Sequence, residues 1–480
     1  MIRRFFSIYS PKLSSNIIYM LQRCEYEVKP YFAWLVKTTD YGNITKRGDL
    51  VKTSKAVGLL TLLRCGISFQ LAIGIYFLFY AIDYKSFGYL GIGLALFLTY
   101  PLIWAVLITW PLLLARWFIV RPKEALLVSR SKQIFASYKG KKIAVAGSYG
   151  KTTMKELLAT VLSEAGQVAA TPGNKNVASS HAVFAQKLSG KEKFVIVEFG
   201  EGKSGDIKKF ASTIKPDVGV ITGIAPAHLN KYADLKAAAT DIFCLSDFVD
   251  HSQLYVNGES EDIGNYIDPK DQVYTAEGIS NWQVSSVISN FDGIAFKLTN
   301  KKDDKQVINI KSCLLGRHQI GPLSAVAVIA FNNGCSINQI EKGFLKTKPF
   351  EHRMELRQIG LAQVIDDTYN GNIEGIAAGL NLLSELPANR KIYVTPGLVD
   401  QGIETERVHI KMGSLISEAN PDKVVLMKNS VTDYIIKGLG DYKGQMEIID
   451  DPLHYYQNID KTLAKGDLLL MQNDWPDNYK

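Results

Sequence analysis

The run Gly147-Ser148-Tyr149-Gly150-Lys151-Thr152-Thr153 combines the parts needed to hold a chain of phosphates. It follows a short apolar stretch, KKIAVAG. It leads into Thr152 to Glu164, where Met154, Leu157, Leu158, Val161 and Leu162 recur at helical spacing. A glycine-bearing turn between strand and helix aims unpaired backbone N–H groups and the positive helix end at an anion. Lys151 adds a charge for the outer phosphates, and Thr152 offers a hydroxyl to a magnesium ion. The usual G-x-x-x-x-G-K-[ST] pattern would need glycine where Val145 stands, so this loop is a shortened form. A plain strand-to-helix turn has no need of G-K-T-T at its helix start.

Other chemistry-bearing residues also fall just after apolar runs. Glu198 closes FVIVE, and a carboxylate on an apolar strand is costly unless paired or bound to a metal. It is therefore a candidate magnesium ligand. His228 lies in GVITGIAPAHLNKY, shortly past a second such run, and reads either as a structural histidine or as a metal-site residue. Asp366, Asp367, Asn370 and Asn372 crowd the segment IDDTYNGNIEG, which reads either as an Asn/Gly turn or as a ligand-facing loop.

The elements that must position these residues alternate between strand and helix from Lys141 onward, which predicts parallel α/β sheets. Strands are expected at 142–146, 194–198, 218–223, 363–367, 391–395, 423–428 and 467–471. In such sheets ligands gather beyond the carboxyl ends of the strands, where the loop, Glu198 and His228 all fall. A more polar section, 250–312, is expected to form an antiparallel insert, and 346–358 to join two α/β domains. The expected architecture is a phosphate-loop ATPase domain over 141–347, then a Rossmann-like C-terminal domain over 348–480.

The first third of the chain is different. Residues 65–82 carry no charge over 18 positions and residues 86–115 none over 30, separated by Asp83, Tyr84 and Lys85. A spanning helix needs about 20 apolar residues, so 56–122 is expected to form a transmembrane hairpin. Lysines and arginines flank both outer ends, which puts both termini in the cytoplasm and the protein in the inner membrane. Residues 1–55, with ten Lys or Arg against four acids, form a basic cytoplasmic segment, and 123–140 a basic amphipathic connector along the membrane face. The net charge of +8 comes without any basic–aromatic pattern that reads bases, so no nucleic-acid partner is expected. Five scattered cysteines suggest neither a zinc site nor a disulfide framework.

Taken together and in order, G-S-Y-G-K-T-T, T-x-G-N-x-N at 171–176, E-F-G at 198–200, A-H-L at 227–229, G-R-H at 316–318, H-R-M-E at 352–355 and D-D-T-Y-N-G-N at 366–372 resemble the Mur ligases. The resemblance covers roughly 140 to 480 and is strongest to the members that add D-alanyl-D-alanine to a muramoyl-peptide. It implies ATP-dependent amide synthesis through an acyl phosphate, with ATP and Mg2+ required. On that footing Gly147, Ser148, Gly150, Lys151, Thr152 and Thr153 would hold ATP, with Arg353 and Asp367 completing its site from the C-terminal domain. Lys151, His228 and Arg353 would be catalytic, and Thr152, Glu198 and His228 would serve magnesium. Asn174, Asn176, Asn370 and Asn372 would contact substrate. Expected partners are the muramoyl-peptide, D-Ala-D-Ala or a similar amine and the bilayer, with room for other cell-wall synthesis enzymes.

The chain departs from that pattern in four places. Ile242 stands where the family carries a magnesium-bridging carbamylated lysine, and the neighbouring Asp241 could supply the lost charge. Pro322 replaces the asparagine that meets adenine, and Val177 replaces a second asparagine after T-x-G-N-x-N. The hairpin occupies the place of a UDP-sugar-binding domain. Alternatives therefore stand beside the first reading: a Mur-like ligase with a lipid-linked or polymeric acceptor, or an ATP-binding scaffold without turnover.

Overall fold

The computed structural model describes residues 6–473, apart from 45–48, 174, 226–231, 233, 261–262, 370 and 400. It divides into two compact units, residues 1–126 and 127–480.

The first unit is helical. α1 (Leu13–Arg23) and α2 (Val28–Lys37) precede two long helices, α3 (Ser54–Asp83) and α4 (Phe87–Leu107). A short helix α5 (Thr109–Ala115) and a π-helical turn, Arg116–Val120, follow. The stretches Ser54–Asp83 and Phe87–Ser137 are long and apolar enough to cross a membrane. Glycines let α3 and α4 approach closely: a side chain at Gly66 would strike the Trp104 ring, and one at Gly74 would meet Phe97. Gln70 donates across the pair to the Leu96 carbonyl at 3.0 Å. The basic segment before them is not a bare tail. Ile17, Ile18, Leu21 and Tyr31 are fully buried with Leu63 of α3, and the Tyr31 hydroxyl donates to the Ala105 carbonyl at 2.9 Å.

Helix α6 (Arg121–Ser137) runs into the second unit. Phe135 is fully buried in the α/β core, with Ile134 and Tyr138 packed against that core. The C-terminal end of the expected amphipathic connector thus turns apolar side chains to protein.

The α/β unit begins with β1 (Lys141–Ala146) and α7 (Lys151–Leu162), followed by β2 (Val168–Ala170), α8 (Ala178–Ala185), β3 (Phe194–Glu198), α9 (Asp206–Ile214), β4 (Val218–Ile221) and α10 (Leu235–Phe243). β5 (Leu254–Asn257) and β6 (Gln272–Thr275) extend the same sheet in parallel. Only from β7 (Gly278–Ile279) through β8 (Trp282–Asn290), β9 (Gly293–Asn300) and β10 (Val307–Ser312) does pairing turn antiparallel. The section 250–312 is therefore not wholly an antiparallel insert: its first half continues the parallel sheet, and the whole forms one ten-stranded order, β10-β9-β8-β7-β6-β5-β4-β1-β3-β2. α11 (Ile320–Asn332) and α12 (Ile337–Leu345) share a core with α7 on one face, while α9 and α10 cover the other.

A second sheet begins with an antiparallel hairpin, β11 (Glu355–Ile359) and β12 (Ala362–Asp367). After α13 (Ile373–Glu385) come β13 (Arg390–Thr395), β14 (Lys423–Met427), β15 (Gln445–Ile449) and β16 (Asp467–Gln472), in the order β11-β12-β16-β13-β14-β15. All seven expected strands are present within two residues of their ends. β2, β11 and β15 had no counterpart in the sequence reading, since their patterns are short or polar.

Candidate active site

β1 is flanked by β3 and β4, so three strand ends converge where the chain reverses direction across the sheet. The phosphate loop leaves β1 there. Gly147 has φ +139°, and a Cβ on it would lie 2.3 Å from the Thr222 hydroxyl at the end of β4. Gly150, at φ +70°, caps α7 in the left-handed conformation. The Thr222 hydroxyl donates to the Tyr149 carbonyl, and the Ser148 amide donates to the Gly223 carbonyl at 2.8 Å. The first-turn amides of α7 have no helical acceptor and point toward an incoming anion.

Lys151 and Lys155 stand one turn apart on α7, and each meets a carboxylate from the end of β3. Lys155 is fully buried, 3.3 Å from Glu198 Oε2, and it donates to the Gly173 carbonyl at 2.5 Å. Glu198 Oε1 accepts from Asn176 at 3.1 Å, while buried Oε2 accepts no hydrogen bond among the described residues. That oxygen already faces the Lys155 ammonium, so a metal ion there would have to share it; Glu198 lies one strand away from the loop, paired to Val145. Lys151 Nζ lies 2.8 Å from Glu201 Oε1 and also donates to the Gly147 carbonyl. The Ser148 hydroxyl donates to Glu201 Oε2 at 3.1 Å. Neither Lys155 nor Glu201 was singled out from sequence. The available signals were the second acid in FVIVEFGEG and the lysine four residues beyond Lys151.

Behind this layer, His181 Nε2 is 2.8 Å from the Glu198 carbonyl oxygen, and burial pushes the imidazole down to about 4, so it is neutral. Asp241 has a different set of partners from those of a metal ligand. Its Oδ1 accepts from the Gly205 amide at 2.7 Å, at the start of α9, and its Oδ2 from the Tyr232 hydroxyl at 3.1 Å. Any metal would compete with both bonds. Burial raises its pKa above the usual carboxylate value, against those bonds.

A cavity of about 410 Å³ lies between the loop and the second sheet, lined by Gly150 and Thr153 on one side and by Arg353, Asp367 and Asn372 on the other. The Arg353 guanidinium lies over the Tyr369 ring at 4.2 Å. Asp367 accepts from the Met354 amide at 3.2 Å and from Gln472 Nε2 at 2.9 Å. Burial pushes it up to about 6, against those bonds and the Arg353 charge. Asn372 caps α13, its Oδ1 accepting from the Gly375 amide at 2.7 Å, so this expected substrate residue already has a structural task. Pro322 lines the cavity together with Asn257, Gln319 and Tyr274.

His352, Glu355 and Asp366 lie close enough together to hold a cation, but Arg357 already meets both carboxylates, at 2.6 and 3.0 Å. The trio fastens the start of β11 to the end of β12. Burial alone would raise Asp366, but Thr368, His352 and Arg357 together hold it below its usual value. His228, Asn174 and Asn370 lie outside the described residues. The structure thus brings the loop, Arg353 and Asp367 to one cavity and sets Asn176 against Glu198.

A phosphate-loop sheet faced across one cavity by a second, mostly parallel α/β domain is the arrangement of a two-domain nucleotide-binding protein. The Mur ligase middle domain matches residues 145–330, and the Mur ligase glutamate ligase domain residues 352–472. The chain belongs to the Mur ligase family, whose members are ATP-dependent ligases that form carbon–nitrogen bonds. It is 24% identical over 311 residues to the UDP-N-acetylmuramoyl-tripeptide--D-alanyl-D-alanine ligase of Escherichia coli (strain K12), covering 62% of this chain and 67% of that one. Among solved structures, MurF from Acinetobacter baumannii superposes with a TM-score of 0.64 at 19% identity, over 73% of this chain and 77% of its own. MurF from Thermotoga maritima in complex with ADP gives 0.63 at 18%, over 73% and 80%. These similarities extend the fold agreement across both α/β domains.

Proposed function

We propose that the protein is a membrane-anchored ligase that uses ATP to join D-alanyl-D-alanine, or a similar amine, to a muramoyl-peptide at the cytoplasmic membrane face. The observation that carries this reading is the shared cavity, with the phosphate loop on one wall and Arg353 and Asp367 on the other. A carboxylate of the peptide attacks the outer phosphate of ATP, giving an acyl phosphate and ADP. The amine then attacks the acyl carbon and phosphate leaves. Lys151 and the α7 amides neutralise and orient the phosphates, and Arg353 supports them from the far wall. Catalysis of this kind rests mainly on positioning and charge neutralisation. Magnesium, held by Thr152 and Glu198, would supply further charge neutralisation. His228 belongs to the same proposal as a metal-side residue, and the remaining asparagines as substrate contacts.

Exposed apolar side chains along α3 and α4, among them Phe69, Phe79, Phe87 and Leu98, support a membrane anchor, and the lysines and arginines flanking its outer ends favour both termini inside. The same surface favours a lipid-linked acceptor as the second reading. The deciding assay measures phosphate release by the detergent-purified protein, with D-Ala-D-Ala and either UDP-linked or lipid-linked muropeptide. The expected result is release with one acceptor, lowered about 10²-fold or more by Lys151→Ala, some 2.7 kcal/mol of lost transition-state stabilisation. Absence of release with every acceptor would turn the reading toward a nucleotide-binding scaffold.

A further inference from the structure

The two lysine–carboxylate pairs on α7 differ in one respect. Lys155 and Glu198 are both sealed, with side chains 0% and 2% exposed. Lys151 is 12% exposed while its partner Glu201 is 1% exposed, so the cation is the reachable half. We propose that Glu201 is the resident anion of the phosphate loop: its carboxylate occupies the donors that nucleotide phosphates need, and nucleotide must displace it to bind. The inference rests on the nucleotide reading given above.

Three observations converge on it. The two Glu201 oxygens take Lys151 Nζ at 2.8 Å and the Ser148 hydroxyl at 3.1 Å, one of them the loop's cation. The Ser148 amide is turned away to the Gly223 carbonyl, and Lys151 also donates to Gly147, so this loop is closed upon itself. Glu201 is buried and comes from the end of β3, fifty residues along the chain from Lys151, so the pair is a tertiary contact and not a local accident. Oxygens of a carboxylate and of a phosphate accept from the same donors in the same geometry. Only one can occupy them.

The energetic consequence follows from population arithmetic. The loop binds phosphate when Glu201 is away, so the apparent dissociation constant is the intrinsic one divided by the fraction of open loop. Displacement also leaves a desolvated carboxylate without its partner, which is unfavourable unless another cation arrives. A magnesium ion accompanying the nucleotide meets that need. Nucleotide without magnesium brings only negative charge and gains nothing for Glu201. Glu201 is in this sense a positioning residue that makes nucleotide binding depend on its metal.

The test is a calorimetric titration of the full-length, detergent-solubilised protein with ADP, once in EDTA and once with magnesium. Glu201→Gln keeps the volume and removes the charge. Glu201→Asp keeps the charge but shortens the arm by a methylene, drawing it off Lys151. Either variant is expected to bind magnesium-free ADP about tenfold more tightly than the parent. The ratio of affinities with and without magnesium should shrink in Glu201→Gln. Equal or weaker magnesium-free binding in the folded variants overturns the inference while leaving the nucleotide reading intact. If neither parent nor variant binds ADP at millimolar concentration, the nucleotide reading falls and the inference with it.

Discussion

Along α7, Lys151 and Lys155 meet carboxylates one turn apart, and the neighbouring Asn176, Ser148 and Thr222 all have partners. Along α3 the situation is reversed. Phe69, Ile75, Phe79 and Ile82 are 68%, 47%, 64% and 72% exposed, with apolar surface left uncovered. The polar groups at the loop are desolvated, and a desolvated charge is tolerable only beside its counter-charge. The apolar faces of the hairpin have no such internal solution, because two helices cannot enclose one another. Within the pair, contact runs through glycine notches, the Gln70 hydrogen bond and ring pairs such as Phe77 with Tyr89, while the outward side chains stay uncovered. One region is completed by its own residues, and the other by what surrounds it.

The most drastic way to break the comparison is to remove residues 1–126. The shortened chain should move from the membrane fraction to the soluble fraction and keep a cooperative unfolding transition, since the α/β cores lie in the other unit. A shortened chain that still sediments with membranes would place the anchor elsewhere.

Lys155→Met tests the sealed pair. It leaves Glu198 buried without its cation, and breaking such a pair costs about 3–5 kcal/mol. Adding Glu198→Gln should recover much of that loss, as read from urea midpoints. A loss under about 1 kcal/mol, the range of exposed pairs, would mean water reaches the site.

The smallest effect concerns Asp367, whose pKa is raised from 3.8 to about 6, chiefly by burial. Its native state holds a proton that the unfolded chain has already released. The stabilisation it gives is complete below pH 3.8 and is lost as pH rises through about 6. At about 1.4 kcal/mol per unit, the change amounts to roughly 3 kcal/mol or less. Asp367→Asn should therefore flatten the fall in melting temperature as pH rises from 3.8 to about 6. An unchanged slope would assign the pH effect to another group.

Much of this was readable from local pattern. β3 announced itself as an unbroken run, FVIVE, because a strand covered on both faces has no polar alternation to obscure it. The glycine turn and G-K-T-T were legible because a phosphate loop is built from consecutive residues, and the two long apolar helices because their length alone sets them apart. The connection of β5 and β6 to the parallel sheet was not legible, since four-residue strands acquire their direction only from neighbours distant in sequence. Glu201 could not be matched to Lys151, nor Asp241 to the start of α9, because ion pairs and caps across 50 and 36 residues leave no spacing signal. Asp367 gains its raised pKa from burial, which outweighs the hydrogen bonds that reach it from Met354 and Gln472. Residue type and spacing determine which chemistry is available along a chain; desolvation and nearest counter-charge, which decide how each group behaves, exist only after distant segments have packed together.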